Sequence, residues 1–163
     1  NATIFGNYAF DKQQLGGALS GLILGFSQSI SDGLPNTTEV QLNSLQGYYP
    51  FGRADRGRTP MITQTDIYAE YNFDITKDYK VQFNVNVTNL FDQDTVTAYG
   101  RRPNRDALKI DPDILKQLYQ TGQPLDIMSY MGDGTGVRLS EMYGMESAFQ
   151  GPRTIRLGMR LTF

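Results

Sequence analysis

The chain has no cysteine, no histidine and no tryptophan among its 163 residues. Without cysteine there is no disulfide framework and no thiolate metal site. Without histidine the usual general base and the commonest metal ligand are missing. A Ser/His/Asp or Cys/His nucleophile cannot be assembled, so the residues point away from an enzyme and require no metal or cofactor. Charge of one sign is not in excess either: 15 Lys and Arg stand against 17 Asp and Glu, which leaves no electrostatic case for binding nucleic acid. No run approaches the roughly 20 apolar residues of a transmembrane helix, so any membrane role falls to β-strands. Apolar residues, at 39%, are a modest share for a compact soluble core. No signal-peptide pattern opens the sequence at Asn1, so the chain is expected to be a processed product or a piece of something larger.

What is present is glycine, tyrosine and phenylalanine, at 17, 10 and 9 residues, together with long apolar-polar alternation. Residues 153–163 alternate without a fault. Ile155, Leu157, Met159, Leu161 and Phe163 share one face, and Thr154, Arg156, Gly158, Arg160 and Thr162 share the other. One face needs water and the other an apolar medium, either a core or lipid. Residues 3–10 read as a strand with Ile4, Tyr8 and Phe10 against Thr3 and Asn7, and Phe5 breaks its pattern. A polar turn at 11–14 leads to a Gly-rich strand over 15–29, whose Leu22, Leu24 and Phe26 favour one face while Leu19 and Ile23 fall on the other. Residues 63–74 set Thr65, Ile67, Ala69, Tyr71 and Phe73 against Gln64, Asp66, Tyr68, Glu70, Asn72 and Asp74. A tight turn at 75–78 joins them to a strand over 79–89, where Val81, Phe83, Val85 and Val87 oppose Lys80, Gln82, Asn84 and Asn86. Between these lie two long stretches, 30–61 and 90–152. The first is punctuated by Gly and Pro, and the second holds a helix with Asp111 as N-cap, Pro112 at its first position, Ile114, Leu115 and Leu118 on a face, and Gly122 as terminator.

The connections therefore alternate short, long, short, long. Outer-membrane β-barrels have that rhythm: short periplasmic turns, long external loops, and strands of about ten residues that alternate apolar-out and polar-in. Asp66, Glu70, Lys80, Arg156 and Arg160 are assigned to a polar lumen, and Tyr71, Phe73, Tyr79 and Phe163 to an aromatic girdle at the short-turn ends. Five strands cannot close a barrel, since the smallest bacterial ones have about eight. The expected fold is all-β: the last five antiparallel strands of a large transmembrane barrel, with two long extracellular loops, the second carrying a short helix.

Three stretches resemble known sequences. Arg156, Gly158, Leu161 and Phe163 resemble the C-terminal signal read by the outer-membrane barrel assembly machinery. Asn89-Leu90-Phe91-Asp92, followed by a long last loop, looks like a strand end of TonB-dependent receptors. Arg56-Gly-Arg-Thr-Pro60 followed by Gln64-Thr-Asp-Ile-Tyr68 is similar to a segment of the Oar-like members with a carboxypeptidase-regulatory-like N-terminal domain. The resemblance implies the end of a barrel of about 22 strands around an N-terminal plug, importing a scarce nutrient with energy from the inner membrane. It further implies these partners: outer-membrane lipid, the plug and remaining strands, the inner-membrane energising protein, and the assembly machinery. The C-terminus would be periplasmic and the long loops extracellular. The alternative is a passive porin or a structural, adhesive barrel.

Candidate ligand contacts sit in the long loops. Arg53, Arg56 and Arg58 with Asp55, and Arg101 and Arg102 with Arg105 and Asp106, could hold an anionic ligand through charge-assisted hydrogen bonds, or pair with loop carboxylates to hold a shape. Tyr48 and Tyr49 could stack on a sugar or peptide, or pack loop against loop. The lumen charges could line a solute path, or bond to plug residues and to one another. Residues 132–136, with Asp126 upstream, have the look of a calcium loop without its ordered ligand spacing, and a Gly-rich turn is the simpler expectation. Asn36-Thr37-Thr38 matches a glycosylation sequon and is read as plain loop.

Overall fold

The computed structural model describes residues 1–10, 20–43, 47–77, 79–123, 125–131 and 134–163. It is mostly β-sheet with little helix, and among the described residues no helix is long and apolar enough to cross a membrane. The chain divides into two compact units: residues 1–32, 61–95 and 150–163 form one, and residues 33–60 and 96–149 the other.

The first unit is one antiparallel sheet of five strands, β1 (Ala2–Ala9), β2 (Leu22–Ser31), β5 (Ile62–Asp74), β6 (Lys80–Thr88) and β9 (Thr154–Thr162), in the order β1-β2-β5-β6-β9. Each strand pairs with the sheet strand before it, so the sheet is a meander whose first and last strands run in the same direction. Register carries the alternation of each strand across the whole sheet. Ile155 faces Val87, Val87 faces Ile67, Ile67 faces Phe26, and Phe26 faces Gly6, all on one side. Arg156, Asn86, Tyr68, Gly25 and Asn7 make the matching row on the other side. A slip of one residue in any pair would mix the two sides. The register also settles β2: Leu22, Leu24 and Phe26 join the apolar side, while Ile23 pairs with Glu70 on the polar one. Phe5, which breaks the pattern of its strand, lies on the polar side opposite Ser27. The apolar side stays open, with Ile4 and Met159 each 69% exposed and Leu157 77%.

Four strand boundaries agree with the alternation to within a residue or so. The second strand is shorter than expected, starting at Leu22 rather than residue 15; the turn at 11–14 and residues 15–19 lie outside the described residues. Tyr8 and Phe10 meet edge to face at 4.9 Å, and Phe73 stacks on Phe83 at 6.0 Å, close to the turn-side end of the sheet.

The second unit corrects the picture of two long loops. The stretches 33–60 and 96–149 fold together around a core of their own: Val40, Leu42, Leu108, Ile110, Leu125 and Ile127. Burying an aliphatic side chain of this kind stabilises by about 1.5–3 kcal/mol, which is how a connection this long can stay ordered. Short strands β3 (Val40–Gln41) and β4 (Gly47–Tyr48) pair with one another, as do β7 (Val96–Tyr99) and β8 (Glu146–Phe149). Asn43, in the left-handed region at φ 43°, seals the two stretches: its Nδ2 donates to the Ile110 carbonyl at 2.7 Å, and its Oδ1 accepts from the Ile110 N–H at 2.8 Å. Helix α1 (Pro112–Thr121) begins as expected, with Asp111 accepting from the Asp113 N–H, and ends at Gly122, whose φ of 66° suits glycine. Leu115 and Leu118 pack against the core, whereas Ile114 lies on the exposed side of the helix. A 3₁₀ turn over Ile127–Tyr130 follows.

Candidate functional site

Two surfaces gather the charged and polar residues, one on each unit. On the sheet it is the polar side. Asp66, Glu70, Lys80, Arg156 and Arg160 all lie on it, as the alternation requires. Asp66 accepts both from Gln64 Nε2, at 3.0 and 3.1 Å, and from the Asn89 N–H at 2.9 Å. Glu70 accepts from the Tyr68 hydroxyl and from Asn72 Nδ2, the latter at 2.6 Å. Lys80 stands 4.0 Å from Asp74, an exposed pair of little energetic weight. Gly158 separates Arg156 from Arg160 and leaves room for Asn84, whose Oδ1 would stand 2.6 Å from an added Cβ. Leu161 and Phe163 are exposed, Phe163 at 91%.

The Asn89-Leu90-Phe91-Asp92 stretch is a structural clasp of the same unit. Asn89 is 1% exposed and sits at φ 54°, a conformation asparagine tolerates better than most residues. Its Nδ2 donates to the Gln93 and Gly151 carbonyls at 2.8 Å each, and its Oδ1 accepts from the Gln93 N–H at 3.0 Å. Asp92, also at φ 54°, accepts from the Arg153 N–H at 2.8 Å. This turn therefore ties the end of β6 to the start of β9.

On the second unit, most of the arginines chosen from sequence are engaged. Arg102 donates to Glu39 from Nε at 3.2 Å and from Nη2 at 2.6 Å, and Arg101 stands 3.9 Å from the same carboxylate. Their carboxylate partner is thus Glu39, not Asp106. Asp106 instead receives Nε, Nη2 and the backbone N–H of Arg138, at 2.8, 2.7 and 3.2 Å. Those hydrogen bonds, with the guanidinium charge and that of Arg105 beside it, hold the Asp106 carboxyl down at about 2. Arg56 lies 4.5 Å from the centre of the Tyr143 ring, a cation–π contact. The Tyr143 hydroxyl meets Thr38 Oγ1 at 2.9 Å, and Thr38 donates onward to Asp55 at 2.5 Å. Arg58 donates from Nε to the Gly33 carbonyl. Tyr48 pairs with Val40 and packs on the core, while Arg53 and Tyr49 are exposed. The sequon is closed, since Asn36 is 7% exposed. Of the calcium-like stretch, Gly132 and Asp133 lie outside the described residues, and among those described no acidic group gathers to hold a metal.

Glu39, Tyr99, Arg101, Arg102, Ser140 and Ser147 line a cleft of about 320 Å³. With two guanidinium groups, one carboxylate and three hydroxyls, it suits an anionic or polyhydroxyl group. Glu39 escaped sequence reasoning because no local pattern connects it to residues 101 and 102. Arg138 was missed for the same reason, whereas the motif around Asn89 carried a visible signal. No protein-family model, curated protein or solved structure matches this chain.

Proposed function

We propose that the chain is the C-terminal part of a TonB-dependent outer-membrane receptor, a barrel of about 22 strands that imports an extracellular nutrient. The observation that carries this reading is the five-stranded sheet with one side largely apolar and exposed and the other polar apart from Phe5 and Ile23. A soluble protein exposes contiguous apolar patches of at most a few hundred Å², whereas a barrel wall needs such a side against lipid. The open edges add support. Because β1 and β9 run in the same direction, copies of this chain inserted in one orientation cannot close an antiparallel ring by themselves. An odd number of further strands is needed, and 17 more would complete about 22. Both long excursions leave and rejoin the sheet at the same strand ends, between Ser31 and Ile62 and between Thr88 and Thr154. In the barrel reading that end is extracellular, and the cleft at Arg101 and Arg102 belongs to ligand capture.

The test is fractionation of the full-length protein with an intact-mass measurement. It should be extracted from the outer membrane only by detergent, and should carry a plug of roughly a hundred residues ahead of the barrel. A bare barrel would remove the transport reading. Recovery in the soluble fraction would remove the membrane reading as well.

A further inference from the structure

A second cavity lies wholly within the second unit, apart from the cleft at Arg101 and Arg102. It has a volume of about 740 Å³, inside the range of roughly 300–1,000 Å³ usual for small-molecule sites. Three clamped segments build it. On the first, Leu108 and Ile110 are buried in the core, and the Leu108 N–H donates to the Gln41 carbonyl at 2.9 Å while the Ile110 N–H donates to Asn43 Oδ1 at 2.8 Å. Side chains alternate along an extended chain, so Lys109 between them is exposed and lines the cavity. The second segment is the 3₁₀ turn, where the buried Ile127 anchors Ser129 and Tyr130 on the cavity wall. Ser129 Oγ donates its proton to the Asp126 carbonyl at 2.7 Å, which leaves the hydroxyl oxygen to accept. The third segment, residues 135–137, is held by Val137 against the core and by Arg138, whose carbonyl accepts from the Arg105 N–H at 2.8 Å.

Charge decides what this cavity takes. Asp106 lines it, but the Arg138 guanidinium already matches that carboxylate at 2.7 Å. Among the described residues Lys109 enters no ion pair, so its ammonium is the unopposed charge on the wall. A single ammonium balances a monoanion, whereas a phosphate dianion would keep a negative charge beside Asp106. The rest of the lining is mostly polar, with Asn43, Ser129, Tyr130 and Thr135 against Ala107 and Val137. Such a wall offers hydroxyls and one aromatic face to a hydroxylated ring, and too little aliphatic surface for an acyl chain. We infer that the cavity binds a sugar acid, a hydroxylated ring bearing one carboxylate, with the carboxylate on Lys109 and the ring along Tyr130. The cavity belongs to the second unit alone, so the inference stands apart from the barrel reading of the sheet.

The experiment is isothermal titration of the full-length protein in detergent micelles with D-galacturonate, and with D-galactose as its neutral counterpart. Galacturonate should bind saturably and roughly tenfold or more tightly than galactose, the difference made by a hydrogen bond to a charged group. K109Q should abolish that preference, and K109R should keep it. R102Q, which alters the other cleft, should leave the preference unchanged. Absence of saturable galacturonate binding, or equal binding of the acid and the neutral sugar, overturns the inference. So does a K109Q protein that retains the preference or an R102Q protein that loses it, because the acid would then sit elsewhere. Lys109 is exposed and outside the core, so K109Q should fold. If it does not, the methyl ester of galacturonate gives a second measurement on the unsubstituted protein. The ester should bind no better than galactose, and an ester that binds as tightly as the acid overturns the inference. Fractionation of the same protein tests the barrel separately, so either reading can fail alone.

Discussion

Asn89 fills a position that few other side chains suit, because it must tolerate φ 54° and serve two carbonyls and one N–H from inside the protein. Asn89→Ala leaves those groups unpaired, and a cost of about 2–4 kcal/mol is expected. Asn89→Gly relieves the backbone but not the lost bonds, so it should recover only a fraction of that loss; equilibrium unfolding of both variants measures the split. Asp106 provides a pH signature. Its carboxyl is lowered from an ordinary 3.8 to about 2, first by the Arg138 side-chain hydrogen bonds. A folded value below the unfolded one means the contribution is complete above pH 3.8 and is lost as the pH falls through about 2. Carboxyl chemical shifts should report that titration, and in Asp106→Asn the stability change between those limits should be smaller. Arg138 is exposed and Asp106 partly so, and the effect should therefore weaken in high salt. The partners of the charges were not legible locally: the arginine clusters were visible in sequence, but Glu39 and the Tyr143 ring are distant from them along the chain.

The bounds of helix α1 were legible, because its start and stop signals are local: Asp111 caps it, Pro112 fits its first turn and Gly122 ends it, whereas the side on which Ile114 lies was not. Asp111→Ala should cost about 1 kcal/mol, seen as faster amide exchange over residues 112–121 with the sheet amides unchanged. Strand β9 is the opposite kind of test, since its faces were legible but their surroundings were not. Leu157 is 77% exposed within the chain, so Leu157→Arg should be nearly neutral if that side meets water, within about 0.5 kcal/mol. Against lipid at mid-depth the same change should cost about 2–4 kcal/mol. Unfolding of the full-length protein from bilayers distinguishes the two outcomes, and a near-neutral value removes lipid from that side. The β2 register was ambiguous because Leu19 and Ile23 fall on the opposite face from Leu22, Leu24 and Phe26, and pairing with β5 resolved it by placing Ile23 opposite Glu70.

At the scale of the molecule, the two long excursions are not separate loops but one unit with a shared core. Deleting either stretch should therefore disorder the other, so a protein lacking residues 33–60 should lose the protected amides around Leu108 and Ile110 while keeping the sheet. Retention of that protection would show that the second stretch folds alone. The terminal Phe163 is 91% exposed. If it is read as an assembly signal, Phe163→Asn should lower the amount of full-length protein in the outer membrane without changing the melting temperature of the fraction that inserts. Unchanged membrane levels would exclude that role.

The sequence by itself determined four of the five sheet strands, their two chemical sides and the capped helix, because each follows from a period or a terminal signal spanning a few residues. It also determined what chemistry is missing, since no fold can supply a histidine or a cysteine. Only the tertiary structure decided the partners of the charges and the joining of the two excursions. Glu39 reaches Arg102 across 63 positions and Asn89 reaches Gly151 across 62. Contacts at that separation depend on which strands become neighbours, and side-chain alternation within a strand carries no record of it.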